Sequence, residues 1–115
     1  MMKRMKSIVL LAAGAAVAMG FLEAATQPTE ETKALYVRLC QACHGPDGKA
    51  LLPDMSFFGR EWKHGTKTPD MVKVITDGVP GTMMMPFKGR LTEAQIRDLA
   101  RYVRSLDPTL RPEKK

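Results

Sequence analysis

Between Leu39 and Gly45 the chain reads LCQACHG, which gathers both of its cysteines and one of its two histidines. Two sulfurs and an imidazole at the spacing Cys40-x-x-Cys43-His44 constrain the fold more than any other feature. Three common chemistries fit this pattern poorly. A thioredoxin-like dithiol needs its C-x-x-C at the start of a helix that follows a strand, whereas here the cysteines end an amphipathic helical stretch. Tetrahedral zinc needs four ligands, and beyond Cys40, Cys43 and His44 only His64 remains, far outside finger spacing. A disulfide between Cys40 and Cys43 closes too short a loop to stabilise much.

The fourth chemistry is covalent haem attachment, which C-x-x-C-H specifies. Two thioethers hold one edge of the porphyrin while the adjacent histidine reaches the iron from below. One turn of chain separates the sulfurs and lets His44 project across the ring. The expected cofactor is one haem c per chain, held by Cys40 and Cys43 with His44 as an iron ligand.

The N-terminus agrees with the export that this chemistry requires. Lys3, Arg4 and Lys6 precede an uncharged apolar run from Ser7 to Leu22, the pattern of a secretory signal peptide. Residues 1–24 are expected to be that signal, cut after Ala24, with Ala18 and Gly20 as other acceptable cut sites. A retained anchor is the alternative, although the 16 residues of the run fall short of the ~20 that a spanning helix needs. Residues 25–115 form the expected folded domain, placed in the periplasm. They carry 15 Lys and Arg against 11 Asp and Glu, a formal +4. The basic residues are dispersed, without an aromatic-interleaved block, which argues against nucleic acid as a partner. A domain of only about 90 residues has a thin core and gains from a cofactor at its centre.

Helical periodicity dominates the mature chain. Pro28 to Glu31 open a first helix, with Ala34, Leu35 and Leu39 on one face and Tyr36 beside them. Thr68 as N-cap, Pro69 at the first position and Gly78 at the stop bound a second helix, whose apolar edge is Met71, Val72 and Ile75. The third is the clearest. Thr92 and Gln95 make a capping box, and Ile96, Leu99, Ala100 and Val103 fall at i, i+3, i+4 and i+7. Residues 45–67 are punctuated by Gly and Pro and read as loop. No stretch alternates with period two, so the fold class is all-α.

A run of three methionines, in GVPGTMMMPFKGRLT, offers the second iron ligand. A thioether is soft and neutral, favours Fe(II), and raises the potential relative to a second histidine. Pro86 restricts Met85 towards extended geometry, and in an extended segment Met83 and Met85 point opposite to Met84. The expectation is therefore Met85, with Met83 and Met84 as packing or surface residues and His64 as a rival ligand.

With LYVRLCQACHGPDGK, GVPGTMMMPFKGRLT and IRDLARYVRSL in place, the chain resembles a class I c-type cytochrome of the short bacterial kind across 30–106. The resemblance implies three to four helices packed around a covalently attached haem. In that family the ligand methionine directly precedes a proline in MP-x-F, which maps to Met85, Pro86 and Phe87, with Gly89 and Leu91 following. The first and last helices would cross at Tyr36, Leu99 and Tyr102, and the Pro53 carbonyl would accept a bond from His44. Thr32 replaces the family's small residue at the crossing, which predicts a less close approach.

The implied function is one-electron transfer, not catalysis, between a protein donor and acceptor with acidic docking surfaces, by a monomeric exported carrier. Arg60 and Trp62 are candidates for the haem edge. Lys88, Arg90, Arg97, Arg101 and Arg104 are candidates for docking. The alternatives are a haem c subunit tethered within one dehydrogenase or terminal oxidase complex, or a haem protein with an open iron.

Overall fold

A computed structural model describes residues 14–16 and 27–114. All of the expected export signal except residues 14–16 lies outside them. Helix α1 runs over Glu30–Leu39, α2 over Gln41–His44, α3 over Thr68–Asp77 and α4 over Glu93–Ser105. Short 3-10 turns at Pro46–Gly48 and Pro53–Met55 punctuate the long loop between α2 and α3. Among the described residues there is no strand, only an isolated bridge between Lys88 and Leu91. The all-α expectation holds.

Local chemistry sets the helix ends. Thr29 caps α1 by accepting from the Thr32 amide at 3.1 Å, and Glu30 and Glu31 sit in the first turn against the positive end of the dipole. In α4 the capping box closes both ways: the Gln95 amide donates to the Thr92 hydroxyl at 3.1 Å, and the Thr92 amide to Gln95 Oε1 at 3.0 Å. At α3 the helix starts one residue earlier than the sequence suggests. Lys67 is the cap position, its amide bound to Asp70 Oδ2, while the Thr68 hydroxyl donates to Glu113.

Helix α4 is the spine, packed against both α1 and α3. Its predicted core face of Ile96, Leu99, Ala100 and Val103 is buried throughout. The register of α1 differs from the expected one: Thr32, Leu35 and Tyr36 face inward and Ala34 is exposed. Spacing explains it, because 32, 35, 36 and 39 form a continuous i, i+3, i+4, i+7 stripe that Ala34 leaves. Thr32 is tolerated inside because its hydroxyl pairs with that of Thr29 at 2.9 Å. The expected crossing is present. Tyr36 meets Tyr102 edge-to-face at 5.2 Å and shares the core with Leu99, while its hydroxyl donates to the Gly45 carbonyl at 2.7 Å.

Candidate haem site

The Cys-x-x-Cys-His segment winds into the single turn of α2. The chain bends at Cys40, where α1 ends, and Gly45 stops the turn at φ 79°. The His44 amide returns to the Cys40 carbonyl at 2.9 Å. Positions i, i+3 and i+4 of a helical turn share a face, so Cys40, Cys43 and His44 stand together. All three line a cavity of about 370 Å³. Burial pushes the Cys40 thiol up to about 11, with the Cys43 thiol adding to the effect, so as a free thiol it is no redox nucleophile at neutral pH.

The His44 ring is fixed from two sides. Its Nδ1 is 2.7 Å from the Met55 carbonyl, and its face stacks on Phe57 at 4.3 Å and 20°. The acceptor is therefore Met55, not Pro53. The 3-10 turn at Pro53–Met55 aims its last carbonyl at the imidazole, and Pro53 supplies the bend. Burial lowers the His44 pKa, the Met55 bond opposes that shift and Arg60 adds to it. A neutral ring that donates from Nδ1 leaves Nε2 free as a metal ligand.

The opposite wall comes from α3, α4 and the methionine loop. Met71, Val74, Ile75, Phe87, Leu99 and Val103 make it apolar, while exposed Asp54, Lys63 and His64 sit on its margin with Arg60 and Trp62. Met83 and Met84 line the cavity and Met85 does not. Met85 is 54% exposed and its sulfur accepts a 3.0 Å contact from Arg90 Nη1. Along this course of the loop Met85, the expected ligand, lies outside the cavity wall. The Val79 amide holds the Met84 carbonyl at 3.0 Å, and the Phe87 amide is tied to the Ile75 carbonyl at 3.0 Å. Buried Phe87 and half-buried Met84 then face in, and Met85 between them faces out.

Asp107 is a further buried polar residue near the site. Its carboxylate is buried just beyond α4 and accepts from Trp62 Nε1 at 2.8 Å, anchoring the long loop to the last helix. An Asp in a C-terminal DPT segment carries no signal in the sequence beyond a turn.

The chemistry of this cavity suits haem c. Two thiols and an imidazole share one face, the walls are apolar, and the volume lies within the ~300–1,000 Å³ usual for cofactor sites. Fold and site together define a class I-like c-type cytochrome domain. A family profile described as cytochrome C oxidase, cbb3-type, subunit III matches residues 27–103, and the chain belongs to that family. It is 36% identical over 74 residues to the cbb3-type cytochrome c oxidase subunit CcoP of Rubrivivax gelatinosus, covering 62% of this chain and 24% of that protein. With the same subunit of Rhodobacter capsulatus it shares 33% over 100 residues, 74% of this chain and 33% of the other. The chain spans about a quarter to a third of the length of these curated relatives. Its fold matches a chain of the Kuenenia stuttgartiensis reducing HAO-like protein complex with a TM-score of 0.63 and 27% identity, over 77% of this chain and 48% of that one. The cofactor is haem c, bound covalently.

Proposed function

We propose that Cys40 and Cys43 make the two thioether bonds, that His44 binds the iron through Nε2, and that Met84 supplies the sixth ligand through its sulfur. The observation that carries this reading is the shared cavity: α2 presents Cys40, Cys43 and His44 to it, and the methionine loop presents Met84. Bound there, haem supplies a one-electron iron couple; the chain supplies the ligands, the apolar enclosure and the docking surface. Met84→Ala is expected to abolish the far-red sulfur-to-iron band of the oxidised protein and to lower its potential. Met83→Ala and Met85→Ala are expected to leave both nearly intact. Loss of the band in Met85→Ala with retention in Met84→Ala would return the ligand to Met85.

With both axial positions held by protein, the domain transfers electrons and does no catalysis of its own. The relatives are oxidase subunits, which favours work within a terminal-oxidase-type complex over a freely diffusing shuttle. Residues 1–24 are read as the export signal or a retained anchor, and residues 25–115 as a periplasmic, monomeric domain. Among the described residues no helix is long and apolar enough to cross a membrane.

Docking is assigned to the surface of the methionine loop. Met83 and Met85 are exposed on this loop, Arg90 meets the Met85 sulfur at 3.0 Å, and neither Lys88 nor Arg90 has a carboxylate within salt-bridge distance among the described residues. The α4 arginines are more engaged: Arg97 faces Glu93 at 3.8 Å, Arg101 meets Asp98 at 3.2 Å, and Arg104 donates to the Thr66 carbonyl at 2.8 Å. An acidic partner face complements Lys88 and Arg90, so electron-transfer rates with it should fall steeply with ionic strength. Stopped-flow rates that stay flat from low to high salt would reduce these residues to a solvated surface.

A further inference from the structure

Asp107 is 1% exposed, and everything that donates to it is neutral. Trp62 Nε1 binds Oδ2 at 2.8 Å, while the Thr109 amide and hydroxyl bind Oδ1 at 2.9 and 2.7 Å. Among the described residues no Lys, Arg or His reaches salt-bridge distance of it. A buried carboxylate without a cation carries a desolvation cost that a neutral side chain tying down the same loop would avoid. Burial pushes the Asp107 carboxyl up, but the Trp62 and Thr109 bonds outweigh it and hold it below its ordinary value. The group is an anion at neutral pH.

This anion is joined to the haem site by packed rings. Trp62 lines the cavity and lies parallel to Phe57 at 5.6 Å and 4°, and Phe57 stacks in turn on His44 at 4.3 Å. Across such an apolar stack a charge is screened far less than through water or salt. We propose that Asp107 is a fixed negative charge that lowers the reduction potential of the haem iron, with Trp62 holding the carboxylate in place behind the proximal ligand. The reasoning rests on His44 as that ligand. Reduction takes Fe(III) to Fe(II) by one electron and removes one positive charge. A nearby anion favours the more positive, oxidised state, and so counteracts part of the upward pull of a thioether ligand.

The test compares charge at matched shape in the holoprotein. Midpoint potentials are measured by spectroelectrochemistry at neutral pH for wild type, Asp107→Asn and Asp107→Glu, with thermal melts alongside. Asp107→Asn should raise the midpoint, and Asp107→Glu should stay near wild type even though both melt earlier, since each disturbs the Trp62 bond. Should Asp107→Asn not accumulate as holoprotein, Asp107→Gln against Asp107→Glu gives the same contrast, with the Gln variant higher. Equal midpoints within the pair, or a lower midpoint for the neutral variant, overturn the proposal and leave Asp107 a packing residue. Failure of the underlying reading looks different: His44→Ala would then keep the wild-type visible spectrum.

Discussion

At Gly78 one missing methyl group makes room for the methionine loop. The residue sits at φ 66°, and a Cβ there would lie 2.6 Å from the Met84 carbonyl oxygen and 2.7 Å from the Pro86 nitrogen. Those atoms belong to backbone on either side of Met85, so a side chain at 78 cannot be accommodated by a rotamer change. Gly78→Ala combines left-handed strain of about 1–2 kcal/mol with displacement of the loop that carries Met84. In a domain this small each 1 kcal/mol lowers the melting temperature by about 4–8 °C. The expected result is an earlier melt together with a weakened far-red band; an unchanged melt and a full band would show that the loop is not seated on Gly78. Gly78 is legible in the sequence only as a helix stop. The sequence offers two registers for the proposed ligand: counted back from buried Phe87, the three-residue spacing of MP-x-F arrives at Met84, whereas counting from the proline arrives at Met85. The proline is a local constraint, but Phe87 is what the core holds, so the core residue sets the register.

The elements differ in how much of themselves they write into the sequence. Helix α4 is fully legible, because its cap residues and its four core positions all point the same way and nothing else competes for them. In α1 the apolar count misleads: an alanine on the wrong face draws attention, and the inward threonine is made acceptable by a hydroxyl pair that no periodicity shows. The segment from Gly45 to Lys67 is the least legible. Its course depends on contacts distant in sequence: Phe57 against His44, Trp62 on Asp107, and the Ser56 hydroxyl on the Gly48 carbonyl at 3.0 Å. What the sequence does show there is that Gly and Pro forbid a long helix. The Cys-x-x-Cys-His segment of α2 is legible for the opposite reason, since its three side chains lie within one helical turn and need no tertiary contact to come together.

For the molecule as a whole, the cofactor is expected to be part of the core. Helix α4 packs on α1 and α3, and the Gly45–Lys67 loop and the methionine loop supply walls of the cavity alongside α2, α3 and α4. Without haem the apolar walls of the cavity lose the surface they would pack upon. Domains of this size are stable by only roughly 5–15 kcal/mol in total, so they have little margin to lose that packing. The chain should then fold only as it acquires its cofactor, with α1 and α4 as the pieces most able to form beforehand. Cys40→Ala/Cys43→Ala, which prevents covalent attachment, is expected to give weak helical circular dichroism and no cooperative melt. A fully helical apo chain that melts cooperatively would show that the α1–α4–α3 packing is sufficient and that haem enters a domain already folded.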